Sequence, residues 1–148
     1  MKRRVLVDLN VILDVLLDRA PHADAAASLW AVVEAGEGEG LLAAHAVTTL
    51  HYLATRSGGR AFGNRCVADV LSVFSVAPVD AAVLAEALVM EWDDFEDAVC
   101  AAAARSAGCD MIATRDPRGF KKSACPALAP RDALVAIRAP VVRHGSAP

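Results

Sequence analysis

An aspartate, Asp8, stands between a short β-branched run, Arg4 to Val7, and an almost wholly apolar segment, Val11 to Leu17, that only Asp14 interrupts. The run reads as a parallel strand buried on both faces, and the segment as a buried helix for which Asn10 is a suitable cap. Strands that lead straight into helices in this way imply a parallel sheet wrapped by helices. Asp8 then falls just beyond the carboxyl end of its strand, where such sheets gather functional groups. An acid between two apolar elements is partly buried and needs a partner.

The same alternation continues along the chain. Pro21 opens a helix over His22 to Ala35 that the run Gly36 to Gly40 stops, and Leu41 to Ala44 reads as a second strand. A helix over Ala46 to Thr55 ends at Ser57-Gly58-Gly59, another covers Arg60 to Leu71, and Val73 to Val76 reads as a third strand. Asp80 caps a helix reaching Met90, and Asp94 caps one over Phe95 to Ala107 that Gly108 stops. Met111 to Ala113 is a fourth strand, Leu128 marks a fifth, and Pro130 starts a last helix through Ile137. The expected organisation is one domain over residues 1–138 and a flexible tail over 139–148; a chain of 148 residues suits a single core. With 55% hydrophobic and 22% charged residues it has enough apolar surface to fold, and its abundance of alanine beside 5% aromatic residues favours close-packed helices over a β-sandwich.

The net charge of −3 gives the whole molecule no attraction for a polyphosphate, but the signs are segregated. Glu86, Glu91, Asp93, Asp94, Glu96 and Asp97 form an acidic stretch, whereas Arg105 to Arg143 holds eight Lys/Arg against three Asp/Glu. Three aspartates form one candidate cluster: Asp8, Asp97 in the first turn of its helix, and Asp116 after the fourth strand. Carboxylates gathered without basic partners raise one another's pKa and imply a bound cation; oxygen donors favour Mg²⁺ or Mn²⁺. A water on such an ion can attack a phosphodiester. Structural roles are open to the same residues, since Asp97 completes a capping box and Asp116-Pro117 is a turn pair.

The four cysteines show no CxxC spacing, so a zinc site or disulfide framework is not expected. Lys2-Arg3-Arg4 is followed by only three apolar residues before Asp8, too few for a signal peptide, and no stretch is long and apolar enough to span a bilayer. A cytoplasmic location without membrane contact is the expectation. His51 is read as a surface or packing residue, and Trp92 and Phe95 as packing or dimer-contact residues.

Three segments taken in order, Val5-Leu6-Val7-Asp8-Leu9-Asn10-Val11-Ile12-Leu13-Asp14, Asp94-Phe95-Glu96-Asp97-Ala98-Val99 with Ala101 to Ala104, and Thr114-Arg115-Asp116 with Phe120, resemble the PIN-domain nucleases. The likeness is to the bacterial branch of VapC-type toxins, in a sub-branch with an Asp-Phe-Glu-Asp motif, and it covers Arg4 to Ile137. It implies a three-layer α/β/α sandwich around a mainly parallel sheet of four or five short strands. It implies a metal-dependent ribonuclease, often a homodimer, commonly held inactive by an antitoxin protein. Asp8, Asp97 and Asp116 would be the metal-binding acids, Asn10 would fix the Asp8 loop, and Thr114 would hydrogen-bond near the site. Arg115, Arg118, Lys121 and Lys122 would meet RNA phosphates.

One position departs from the resemblance. Many members carry a glutamate in the helix after the second strand, and here Thr49 takes its place. A threonine brings no charge, so Asp94 or Glu96 must compensate; Asp94 shares the Asp97 face, whereas Glu96 is rotated about 100° away. The second reading is therefore a catalytically weak or inactive PIN-like module for RNA binding or assembly. A phosphoaspartate arrangement is disfavoured, because Asp8-Leu9-Asn10 has Asn where DxD chemistry needs a second acid.

Overall fold

A computed structural model describes residues 1–140. Five strands form one all-parallel sheet in the order β3-β2-β1-β4-β5: β1 (Arg4–Val7), β2 (Glu39–Ala43), β3 (Ser75–Ala77), β4 (Met111–Ala113) and β5 (Ala127–Leu128). Between them run α1 (Leu9–Leu16), α2 (Ala23–Glu34), α3 (Ala44–Gly58), α4 (Arg60–Val73), α5 (Ala81–Met90) and α6 (Phe95–Ser106), and α7 (Pro130–Arg138) follows β5. All but the first two residues of the expected tail lie outside the described residues.

The period of two along the strands sorts the core into two layers. Val5 and Val7 of β1, Leu42 of β2 and Met111 of β4 face a cluster built with α1, α2, α3, α4 and α7. Leu6, Leu41 and Ile112 face the opposite cluster, built with α5 and α6. Every residue from Ala98 to Ala104 is buried, and five of the seven are alanine. This stretch lies between the sheet and α5, and methyl side chains are what let three layers approach so closely. The fold is the expected α/β/α sandwich.

Several boundaries differ from the sequence expectation. The cap of α1 is Asp8, not Asn10: Asp8 Oδ1 accepts from the Leu9 backbone N–H at 2.8 Å. β2 begins at Glu39, so Gly40 belongs to the strand and not to the preceding loop; a Cβ there would stand 2.6 Å from the Phe74 ring. That ring makes an edge-to-face contact with Trp30 at 5.0 Å, filling the space a side chain at position 40 would need. α4 runs on to Val73, closed by Phe74 N–H to the Val70 carbonyl at 2.8 Å, which moves β3 two residues along to pair Ser75 with Leu41.

The chain lays β1, β2 and β3 on one side, then crosses back to place β4 on the other side of β1. The point where strand order reverses lies between β1 and β4, and the crevice outside their carboxyl ends is where open α/β sheets bind ligands.

Candidate metal centre

Asp8 leaves β1 at this crevice, only 9% exposed. Its Oδ2 accepts a 2.8 Å hydrogen bond from Thr114 Oγ1, the first side chain beyond β4, itself wholly buried. Thr114 Oγ1 in turn accepts from the Asp116 backbone N–H at 3.2 Å, so one hydroxyl ties together the loops that carry two of the three aspartates. Asp97 enters from the first turn of α6, where its backbone N–H is capped by Asp94 Oδ1 at 3.0 Å. The capping role of this segment and its place in the cluster coexist.

Asp97 and Asp116 converge over Gly119 in the turn after β4. A Cβ at Gly119 would stand 3.1 Å from Asp97 Oδ2 and 3.6 Å from Asp116 Oδ2. Carboxylate oxygens of Asp94, Glu96 and Asp97 all lie within 4.8 Å of one another. Among the described residues no lysine or arginine pairs with Asp8, Asp94, Asp97 or Asp116.

The electrostatic consequence is large at one residue. Burial, and then the charges of Asp94, Asp8, Glu96 and Asp116, push the Asp97 carboxyl up from its ordinary 3.8 to about 7. Burial also raises Asp8 against the opposing Thr114 hydrogen bond, whereas Glu96 is held low by its hydrogen bond from His45. Oxygen donors that repel one another and lack a counter-charge fit a hard divalent cation, and the bare backbone of Gly119 leaves room beside two of them.

The raised Asp97 has a definite sign in stability. The folded chain keeps a proton there that the unfolded chain has already lost, so with metal absent this group's contribution falls as pH rises from about 4 to about 7. Thermal unfolding of the metal-free protein across that range is expected to show a steeper decline, or a smaller gain, than the Asp97→Asn variant. Parallel curves for the two proteins would refute it.

Two clefts meet at Asp97. One, of about 460 Å³, is lined by Asp8, Asn10, Thr49, Glu96, Asp97 and Arg115, among others. The Thr49 side chain thus stands at the wall of the acidic site without adding charge to it. The second, of about 300 Å³, has Asp94, Asp97 and Gly119 on its walls together with Arg118, Lys121 and Lys122.

Other residues behave differently from expectation. Asn10 makes no hydrogen bond to Asp8, and its Oδ1 is buried without a partner; Leu9 and Thr114 hold Asp8 instead. Arg115 Nε lies 3.1 Å from Asp14 Oδ2, and the residue lines the cleft beside Asp8. Arg19 bonds the other Asp14 oxygen at 2.9 Å and the Asn10 carbonyl at 3.2 Å. Asp14, fully buried, and Arg19 therefore support the cleft wall although the sequence reading gave them no role. The signal was available at Asp14, since an acid inside an apolar helix needs a partner as Asp8 does. Trp92 packs edge-to-face on Phe120 at 6.1 Å, as expected of a packing residue.

Fold and site together define a three-layer α/β domain with unpaired acids at its topological switch point. The chain belongs to the PIN domain family, whose model matches residues 4–118. A comparison with curated proteins finds no match. Among solved structures, the fold is similar to VapC20 of Mycobacterium tuberculosis, described as a sarcin-ricin loop cleaving toxin, with TM-score 0.61 and 21% identity over 73% of this chain and 86% of that one. It is similar to a toxin-antitoxin complex from Klebsiella pneumoniae, with TM-score 0.65 and 16% identity over 85% and 97% of the two chains. FitAcB of Neisseria gonorrhoeae matches with TM-score 0.64 and 21% identity over 85% and 97%. At these identities the likeness establishes the fold.

Proposed function

We propose that the protein is a Mg²⁺- or Mn²⁺-dependent endoribonuclease and the toxin of a toxin-antitoxin pair. The observation that carries this reading is the gathering of Asp8, Asp97 and Asp116, with Asp94, at one crevice without a basic partner, and of Glu96 beside them. Asp8, Asp97 and Asp116 would hold the ion. Asp94 or Glu96 would supply the charge that Thr49 does not, and Thr114 would keep Asp8 and the Asp116 loop in register. When bound, the ion supplies charge neutralisation at phosphoryl oxygens and lowers the pKa of water.

The remaining work falls to the chain itself. Arg118, Lys121 and Lys122 line the cleft adjoining Asp97, where they can meet consecutive phosphates of an RNA strand with salt-dependent affinity. Arg115 would act mainly through Asp14, as part of the wall beside Asp8. The similar structures include a sarcin-ricin loop cleaving toxin and a toxin-antitoxin complex, which supports RNA as substrate and an antitoxin as partner. Homodimer formation is supported by α5, which exposes Leu84, Leu88 and Val89 at 43%, 69% and 81%. No described helix is long and apolar enough to cross a membrane.

The test is cleavage of a single-stranded RNA by the purified full chain. Cleavage is expected with Mg²⁺, lost with EDTA and restored by Mn²⁺. RNA binding without cleavage under any of these conditions would replace this reading by the binding-module one, to which the uncharged Thr49 points.

A further inference from the structure

Glu96 has a second set of neighbours that the acidic cluster does not use. Its Oε1 lies 3.3 Å from His45 Nε2, and Cys100 Sγ lies 3.8 Å from each of those atoms. His45 is the second residue of α3, delivered directly from the end of β2; Glu96 and Cys100 stand one turn apart on the same face of α6. The triangle is therefore set by two helices, α3 and α6, that rest against opposite faces of the sheet. Cys100 is 3% exposed, within the alanine-rich stretch. The thiol is directed at two polar atoms. His45 Nδ1 is buried without a partner, which leaves Nε2 as the nitrogen offered to the triangle, and the half-exposed Glu96 carboxylate leaves a way in from solvent.

We propose that His45 Nε2, Glu96 Oε1 and Cys100 Sγ form a binding site for a borderline-soft divalent transition-metal ion of the Zn²⁺ type, beside the hard-cation cluster and sharing Glu96 with it. Zinc bond lengths of about 2.3 Å to sulfur and about 2.0–2.2 Å to nitrogen and oxygen, at tetrahedral angles, put neighbouring donors about 3.3–3.6 Å apart. The observed edges need only a few tenths of an ångström of closure to match. The fourth position is left to solvent. Donor chemistry separates the two centres, since thiolate and imidazole select zinc-like ions and carboxylates alone select magnesium-like ones. Binding forms a sulfur–metal bond and sends the thiol proton to solvent, with no change of oxidation state. Ligand spacing along the chain does not reveal such a site, because His45 and Cys100 are 55 positions apart.

The inference does not depend on RNA cleavage, and its test uses Co²⁺ alone as the probe. Titrated into the reduced full chain, Co²⁺ is expected to produce a sulfur-to-cobalt charge-transfer band that saturates at one ion per chain and is displaced by Zn²⁺. Cys100→Ser should abolish the band. His45→Gln should weaken binding by at least about tenfold, the low end of the roughly 10–100-fold that outer-shell partners command. Asp8→Asn, which removes none of the three donors, should retain the band. Circular dichroism checks that the variants are folded; if Cys100→Ser is not, His45→Gln decides. Absence of a sulfur band in the parent protein, a band that survives Cys100→Ser, or unaltered affinity in His45→Gln would overturn the proposal.

Discussion

Asp8→Asn is expected to lower Mg²⁺-dependent RNA cleavage by roughly a hundredfold or more, the scale on which a single electrostatic group at a reacting centre acts, while the metal-free protein unfolds at the same or a higher temperature. The fold should tolerate the change because an asparagine caps a helix as well as an aspartate does. Its carbonyl can accept from Leu9 N–H, and its amide can donate to Thr114 Oγ1, which accepts as readily as it donates. The site should not tolerate it, because the amide is neutral and a poor ligand for a hard cation. Burial raises the Asp8 pKa in the folded chain, so ionising it costs the native state stability, and the neutral isostere removes that penalty. Loss of cleavage combined with unchanged or greater stability therefore separates a functional carboxylate from a structural one. Equal cleavage by the two proteins would remove the proposed chemistry, and a lowered unfolding temperature would mean that the charge itself holds the fold.

The second large effect is expected at Asp14. Its carboxylate is fully buried and answered by Arg19 on one oxygen and Arg115 on the other, whereas the two guanidinium groups are about one-third exposed. Removing both arginines strands a buried anion, which costs about 3 kcal/mol, the low end for a broken buried pair because these partners are partly screened. For a chain of this size that is a fall of about 6–12 °C in Tm. Either arginine alone still answers the charge, so the single replacements should sum to clearly less than the double one. Asp14→Leu in the Arg19→Ala, Arg115→Ala background should recover most of the loss, since the anion is then absent. Additive single effects, or no recovery, would show that the arginines act by packing and not through the buried charge.

Much of this arrangement was legible along the chain because the decisive signals are local. The run Val5 to Val7 followed by Asp8 reads as a buried strand and a turn, and Asp94 with Asp97 reads as a helix start, without knowledge of anything distant. Thr49, singled out by its position in the helix after β2, lines the acidic cleft. What was missed depends on atoms brought from elsewhere. Gly40 looked like the end of a glycine-rich loop until the Phe74 ring was seen to occupy its missing side chain. The pairing of Arg115 with Asp14 joins residues from opposite ends of the chain, so no local pattern announces it. The three donors His45, Glu96 and Cys100 come from two helices on either side of a long excursion, and no periodicity links them.

The bond from Thr114 to Asp8 spans 106 residues of chain, and β1 and β4 pair alongside it. At ribosomal rates of about 5–20 residues per second, Asp8 is made some 5–20 s before the hydroxyl that will hold it. During that interval the amino-terminal half can assemble β1, β2 and β3, but the acids of the crevice remain on separate pieces of polypeptide. A chain built this way acquires its site in a single late event, after the fourth strand has left the ribosome. Fragments released before that strand emerges would carry Asp8 without the groups that position it. In this parallel topology the groups that position Asp8 are thus among the last parts of the crevice to arrive.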